Sequence, residues 1–197
     1  VPCGTTGESP TLSHKEHERV VSEVIEKASG RITVIAGTGS NSTSEALRLT
    51  KSAKKAGANA ALLITPYYNK PTQEGLYRHF KAIAEEVDIS IILYNVPSRT
   101  GVSITPETVA KLAEIKNIVG IKEASGSIDQ TSQILQLCNI TVLSGDDSLT
   151  LPIMAVGGKG VISVVANVVP KDTSKMVHDF SSGRLKEAQE MHRKLFP

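Results

Sequence analysis

The chain has 197 residues, of which 40% are hydrophobic and 21% charged, and its formal net charge is +2 at pH 7. This length and composition predict one domain of ordinary size with a substantial apolar core. The near-neutral charge and the lack of basic runs argue against nucleic-acid binding, and the apolar runs are too short to span a bilayer. Without a recognisable signal peptide, the sequence predicts a cytoplasmic protein.

The two cysteines, Cys3 and Cys138, show neither the spacing of metal ligands nor that of a disulfide framework. Cys138 belongs to an apolar helical pattern, which predicts a core residue. The sequence therefore predicts a protein without a bound metal.

Short apolar runs alternate with amphipathic segments along the chain. After a strand remnant at Val1, the predicted strands are 32–36, 60–64, 89–94, 117–125, 140–143 and 161–165. The predicted helices are 13–29, 43–55, one from 72, one from 105, 128–137, one through 154, 171–180 and 184–194. Ser13 and Glu16 have the spacing of a capping box, which fixes the start of the first helix. This alternation predicts a parallel sheet covered by helices.

The strand count favours an α/β protein of the (β/α)8 TIM-barrel type that lacks its first β/α unit. Such a barrel takes roughly 250 residues, and the chain opens at Val1 without a methionine. We expect the barrel in residues 1–170, with 171–197 forming its last helix and the start of a helical C-terminal extension. A doubly wound open sheet is the alternative, but loop 37–41 matches a dinucleotide fingerprint only loosely.

Lys122 stands near the carboxyl end of an otherwise apolar strand. In a β/α barrel that end opens into the mouth where catalysis takes place. A partly desolvated lysine has a lowered pKa and can form a Schiff base with a carbonyl substrate. The alternative is a lysine that simply reaches solvent.

Other polar residues collect at the same ends of the predicted strands. They include Thr5, Thr6, Ser40, Asn41, Tyr67, Tyr68, Tyr94, Asn95, Arg99, Glu123, Gly145, Asp146 and Asp147. A tyrosine hydroxyl beside a cation can transfer the protons of imine chemistry, and an arginine fork suits a carboxylate. Each residue alone has a structural explanation, but their convergence on one rim favours an active site.

His14 and His17 fall in the first turn of the first helix. Their spacing is not that of a zinc-binding HExxH motif. From the residues alone, we interpret them as two exposed histidines without a metal.

Three motifs carry a family resemblance: Gly-Thr-Thr-Gly-Glu-Ser at 4–9, Tyr-Asn-Val-Pro-Ser-Arg-Thr-Gly at 94–101 and Gly-Ile-Lys-Glu-Ala-Ser at 120–125. With them the chain resembles the 4-hydroxy-tetrahydrodipicolinate (dihydrodipicolinate) synthase family of pyruvate-dependent class I aldolases, from its first residue to its last helix. The resemblance implies a lyase that condenses pyruvate with L-aspartate 4-semialdehyde in diaminopimelate and lysine biosynthesis. It implies no cofactor beyond the covalent Schiff base of pyruvate on Lys122.

The resemblance also implies roles for individual residues. The catalytic residues would be Lys122, Tyr94, Thr5 and Tyr68, where Thr5 links Tyr94 to a Tyr68 contributed by the neighbouring subunit of a tight dimer. The substrate-binding residues would be Thr6 for pyruvate, Arg99 for the semialdehyde carboxylate, and the backbone of Gly145 and Ile162. The implied assembly is a homo-oligomer, a dimer of dimers.

In members of the family that lysine inhibits, the effector pocket matches Ser9, His14, His17, Asn41, Glu45 and Tyr67 of this chain. Pro10 departs from the alanine common at its position, so sensitivity to L-lysine follows less directly than catalysis.

The alternatives are a keto-deoxy sugar-acid aldolase, an N-acetylneuraminate lyase, or a barrel that senses a metabolite without catalysis. The first two usually carry Ser-Thr where this chain has Thr5 and Thr6, and they lack the arginine at position 99. A degenerate sensor would have lost Lys122 or Tyr94, and both are present. A phosphate-binding barrel is disfavoured because Gly157, Gly158 and Gly160 precede their predicted strand.

Overall fold

The computed structural model describes residues 1–196 and contains a parallel five-stranded sheet in the order β1-β2-β3-β4-β5. Each strand pairs with the next one along the chain. The strands are β1 (Ile35–Gly37), β2 (Ala60–Ile64), β3 (Ser90–Asn95), β4 (Ile118–Glu123) and β5 (Thr141–Ser144). The predicted α/β class with a parallel sheet is confirmed.

Helices separate the strands and follow the last one. They are α1 (His14–Ala28), α2 (Thr43–Ala56), α3 (Gln73–Glu86), α4 (Pro97–Thr100), α5 (Pro106–Ala113), α6 (Ile128–Leu137), α7 (Thr150–Ala155), α8 (Pro170–Ser181) and α9 (Leu185–Leu195). At α1 the capping box forms as predicted: Ser13 accepts from the amide of Glu16, whose carboxylate accepts from the amide of Ser13 at 2.8 Å. None of the described helices is both long and apolar enough to cross a membrane.

The predicted strand at 161–165 is wrong. Only Val161 makes a β-bridge, to Ser144, and Val165–Asn167 is a 3-10 turn. The cause is Asp147, whose carboxylate accepts from the amides of Val164 and Val165 at 3.0 and 3.1 Å. Those amides are thereby withdrawn from any ladder, and five strands rather than six form the sheet in the described residues.

Two smaller predictions also differ from the structure. The strand predicted at 32–36 is reduced to β1, and the loop predicted after β3 contains α4, which Pro97 opens. Proline suits a first helical position because its missing amide hydrogen has no partner there. Cys138 is the residue that ends α6; it is half-buried and packs against the edge of the large apolar cluster.

Alternation along the strands divides the apolar side chains between the two faces of the sheet. In β3, Ile91 and Leu93 belong to the large cluster beneath the helices, with Phe80 of α3. Ile92 and Tyr94 belong to a smaller cluster on the opposite face. Tyr94 therefore projects away from the helical layer.

Asn117 closes the amino end of β4. Its side-chain amide donates to the carbonyls of Ala84, Val87 and Ile89 at 3.0 to 3.1 Å. One side chain thus satisfies three backbone acceptors after α3, which would otherwise be costly to leave unpaired.

His79 of α3 is a buried titratable group with one unpaired nitrogen. It is 6% exposed, and its Nδ1 lies 2.9 Å from the Thr43 hydroxyl of α2. Its Nε2 has no hydrogen-bond partner among residues 1–196. Burial lowers the pKa of His79 to about 4, so the folded protein holds it neutral.

Acidification should therefore destabilise the fold through His79. Because the folded pKa lies below that of an unfolded histidine, the stability is complete above about pH 6.5 and declines as the pH falls towards 4. We expect urea unfolding to show a loss on the order of 3 kcal/mol between pH 7 and 4 from this group. His79→Asn, which keeps a polar partner for Thr43, should flatten the profile; an equally steep decline in that variant would refute the assignment.

Candidate active site

Lys122 and Tyr94 lie side by side on neighbouring strands. Tyr94 of β3 is the register partner of Lys122 of β4, and the Lys122 Nζ lies 4.1 Å from the centre of the Tyr94 ring. Lys122 is 8% exposed and Tyr94 6%. The lysine is thus held over an aromatic face and does not extend into bulk solvent.

The surroundings shift the pKa of both groups. Burial lowers the pKa of Lys122, and the charge of Arg99 lowers it further, whereas the carboxylates of Asp146 and Asp147 oppose the shift. The fraction of neutral, nucleophilic amine at neutral pH is therefore larger than for an exposed lysine. A lysine in this state can add to a carbonyl carbon.

Burial raises the pKa of Tyr94, while Arg99 and the Thr5 side chain at its hydroxyl partly oppose the rise. The phenol thus keeps its proton at neutral pH. A protonated phenol beside a neutral amine can donate a proton to a leaving hydroxyl and take one back.

The other candidate residues lie on turns around this pair. Thr5 begins the 3-10 turn Thr5–Gly7, and the neighbouring Thr6 is exposed. Arg99 is exposed on the last turn of α4, which ends at Gly101. Ile162 is half-buried against the Tyr94 cluster, and its amide donates to Ser144 at 2.9 Å.

Gly145 permits the packing around Lys122. Its amide donates to the carbonyl of Glu123 at 2.7 Å. A Cβ at this position would lie 2.6 Å from the Ala124 Cβ and 3.0 Å from the Lys122 Cε. Only glycine leaves room for the lysine stem at the end of β5.

Tyr68 and His17 have opposite exposures. Tyr68 is 90% exposed and has a left-handed backbone, with φ 71°. His17, predicted to be exposed, is 7% exposed, because α1 packs it against the β1 loop, where its Nε2 donates to the Gly37 carbonyl at 2.8 Å. Its Nδ1 has no partner among the described residues, and burial lowers the pKa of the ring.

A cavity has Thr5 and Arg99 in its lining. Five of the six predicted effector residues line it: Ser9, His14, His17, Glu45 and Tyr67. The sixth, Asn41, is not among its lining residues, and its carbonyl accepts from the Asn69 side chain at 3.1 Å.

Glu45 is the acidic group of this cavity. Its carboxylate contacts the Ser40 hydroxyl and lies 2.5 Å from His14 Nε2, and the hydrogen bond from Ser40 is the main cause of its lowered pKa. The cavity therefore offers a carboxylate together with histidine and tyrosine side chains.

Sequence reasoning placed Asn95, Glu123 and Asp147 on the rim but gave them no role. Asp147 holds the segment that follows Ile162, through the Ser163 hydroxyl and two backbone amides. Asn95 and Glu123 form a buried pair behind the site. The feature of the sequence that could have identified Glu123 is that a second charged residue directly follows Lys122 in an apolar strand.

In residues 1–196, no group of three or more His, Cys, Asp or Glu side chains is placed to hold a metal ion. A parallel α/β sheet with a buried lysine against a tyrosine, at the ends of adjacent strands, defines a Schiff-base lyase of the class I aldolase type. The dihydrodipicolinate synthetase family model matches residues 1–197.

The relatives and solved structures agree with this match. A 4-hydroxy-tetrahydrodipicolinate synthase of Syntrophus aciditrophicus is 61% identical over 100% of this chain and 68% of its own length. The dihydrodipicolinate synthase structure from Aquifex aeolicus is 54% identical with a TM-score of 0.97, covering 98% of this chain and 67% of that one. A lysine-bound structure from Cyanidioschyzon merolae is 43% identical with a TM-score of 0.93, covering 96% and 66%. The chain belongs to the dihydrodipicolinate synthase family of lyases and spans about two thirds of these relatives.

Gly145→Ala should disable the lysine without altering its chemical identity. The added methyl group would displace the Lys122 stem, and a displacement of about 1 Å can cost roughly 100-fold in rate. We expect the rate at which borohydride traps pyruvate on the protein to fall by that factor, as measured by intact-protein mass spectrometry. Ser148→Ala, an exposed change in the next turn, is the control. Trapping at the parent rate in Gly145→Ala would contradict this packing argument.

Proposed function

We propose that the protein condenses pyruvate with L-aspartate 4-semialdehyde to give 4-hydroxy-tetrahydrodipicolinate, the committed step of diaminopimelate and lysine biosynthesis. The observation that carries the proposal is the buried amine of Lys122 across the Tyr94 ring, at 4.1 Å. The chain's 61% identity to a synthase of that name supports the choice of substrates.

In the proposed mechanism the neutral Lys122 amine adds to the keto carbon of pyruvate. The carbinolamine takes a proton from Tyr94 and loses water to give the protonated imine, and the Tyr94 phenolate then takes a proton from the methyl group to give the enamine. The enamine carbon adds to the aldehyde carbon of the semialdehyde, Tyr94 protonates the resulting alkoxide, and the imine on Lys122 is regenerated. Attack of the semialdehyde's own amine on the imine carbon closes the ring and frees Lys122.

The surrounding groups are proposed to bind the two carboxylates. The hydroxyl of Thr6, in the 3-10 turn Thr5–Gly7, suits the pyruvate carboxylate, and the guanidinium of Arg99 suits that of the semialdehyde. The backbone of Gly145 and Ile162 would complete the binding of pyruvate. Thr5, at the Tyr94 hydroxyl, is the proposed next step of a proton relay.

We propose that Tyr68 completes this relay in a neighbouring subunit. A large aromatic ring that is 90% exposed, on a backbone with φ 71°, is unfavourable in an isolated chain. A tight homodimer, itself paired into a tetramer, would cover it. The parallel sheet, whose strands follow one another in chain order, is proposed to be an arc of a (β/α)8 barrel.

The Schiff base can be tested directly on the full-length protein. Incubation with pyruvate and sodium borohydride should attach a reduced pyruvyl group to Lys122, located by peptide mass spectrometry. Lys122→Ala should abolish the adduct, whereas Lys159→Ala, at an exposed lysine, should retain it. A folded protein without any adduct would end the enzyme hypothesis and favour the sensor.

The second substrate separates this synthase from its relatives. With the adduct established, L-aspartate 4-semialdehyde should be consumed together with pyruvate, and Arg99→Ala should weaken this turnover more than adduct formation. Keto-deoxy sugar acids or N-acetylneuraminate should not be cleaved. The opposite preference would assign the protein to the aldolase alternatives.

We also propose that L-lysine binds the cavity that contains Glu45. The Glu45 carboxylate suits its α-ammonium group, and His14, His17 and Tyr67 line the same cavity. A family member from Cyanidioschyzon merolae has been solved with lysine bound.

L-Lysine should therefore raise the melting temperature of the protein, because it binds the folded state alone. Glu45→Gln should raise the L-lysine concentration needed for half of this shift about 10-fold, since a hydrogen bond to a charged group contributes more than one to a neutral group. Glu26→Gln, at an exposed glutamate of α1 outside the cavity, is the matched control. An unchanged melting temperature at millimolar L-lysine would refute the proposed effector site.

A further inference from the structure

Glu123 carries a buried carboxylate that no cation accompanies. The residue is 1% exposed, and none of the ion pairs among the described residues includes it. Its oxygens accept only from neutral donors: the Asn95 Nδ2 at 3.1 Å to each, the Ser125 amide at 2.7 Å and the Gln130 Nε2 at 3.1 Å. Burying a carboxylate is costly, so this arrangement calls for a reason beyond stability.

The partners of Glu123 tie three other segments to the end of β4. Asn95, at the end of β3, also accepts from the Ile104 amide at 3.2 Å. Gln130, in the first turn of α6, also donates to the Ile104 carbonyl at 3.3 Å. The ends of β3 and β4, the segment before α5 and the start of α6 are thereby fixed around one carboxylate.

The position of this pair matters because of the strand register. Tyr94 pairs with Lys122, and the next residues, Asn95 and Glu123, pair with each other. Successive side chains of a strand point to opposite faces. The Asn95–Glu123 pair therefore lies directly behind the Tyr94–Lys122 pair, on the helical side of the same two strands.

We propose that Asn95 and Glu123 are positioning residues that hold the Lys122 amine and the Tyr94 hydroxyl at their working separation. The proposal rests on the proposed Schiff-base function. A carboxylate whose two oxygens need all four donor contacts admits one arrangement of the two strand ends, which an apolar pair would not impose. Neither residue touches substrate; both act through the backbone of their neighbours.

The test inverts the hydrogen-bond polarity of the pair. In Glu123→Gln, an amide NH2 replaces one carboxylate oxygen, so a donor faces the donors that the oxygen accepted from. In Asn95→Asp, a carboxylate replaces the donating amide, so an acceptor faces the Glu123 carboxylate. Each single change should lower the limiting rate of pyruvate imine formation about 10- to 100-fold while the concentration of pyruvate for half-maximal rate changes little. The double variant, Asn95→Asp with Glu123→Gln, again pairs a donor with a carboxylate and should recover to within about threefold of the parent.

A matched control separates positioning from stability. Asn117→Ala removes three hydrogen bonds at the opposite end of the same strand, β4. It should lower the melting temperature while leaving the imine rate at 25 °C unchanged. Gln130→Met, which removes a single contact to Glu123, gives a milder variant with an expected loss of a few-fold if Glu123→Gln does not fold.

The outcomes are distinct. A parent protein that forms no adduct refutes the proposed function itself. A parent that forms the adduct, with folded Glu123→Gln or Gln130→Met reacting at the parent rate, refutes the positioning role alone. Reduced rates in the single variants together with recovery in the double variant support it.

Discussion

The structure depends on one contact, the placement of the Lys122 amine over the Tyr94 ring. Removing an ammonium group from water costs free energy, and its attraction to the ring face offsets only part of that cost. Burial therefore lowers the pKa of Lys122, the nearby carboxylates of Asp146 and Asp147 oppose this shift, and the charge of Arg99 adds to it. A lower pKa increases the fraction of neutral, nucleophilic amine.

The rest of the chain keeps this contact in place. Parallel pairing of β3 with β4 sets the register, and Gly145 leaves room for the lysine stem. On the helical face, next to the large apolar cluster, the ends of β3 and β4 are joined by the hydrogen bonds of Asn95 and Glu123. Asp147 then folds the segment after Ile162 towards the site instead of letting it continue as a sheet strand. Polar contacts thus fix the conformation of the segments around the site, while the apolar clusters stabilise the sheet.

This division explains what could be predicted from the sequence. The apolar periods predicted β2 to within a residue, and the capping box at Ser13 predicted the start of α1, because both are local signals. The pattern at 161–165 predicted a strand wrongly, since the competing acceptor, Asp147, lies 14 or more residues away in sequence. The burial of His17 was missed for the same reason: the Gly37 carbonyl that holds it belongs to another element. The role of Glu123 needed the strand register, which the sequence does not contain.

The four-residue helix α4 has a consequence for how such enzymes diversify. It begins at Pro97, ends at Gly101, and carries Arg99 on a turn outside the sheet, while Lys122 and Tyr94 belong to the strands. With the roles proposed for Arg99 and Lys122, the choice of acceptor and the covalent step would depend on separate parts of the molecule. The two parts are still coupled through charge, because Arg99 lowers the pKa of Lys122, so a replacement turn that exchanges the acceptor should keep a cation at this position. A protein engineer seeking new carbon–carbon bond formation from pyruvate would accordingly vary residues 97–101 and leave the strands alone.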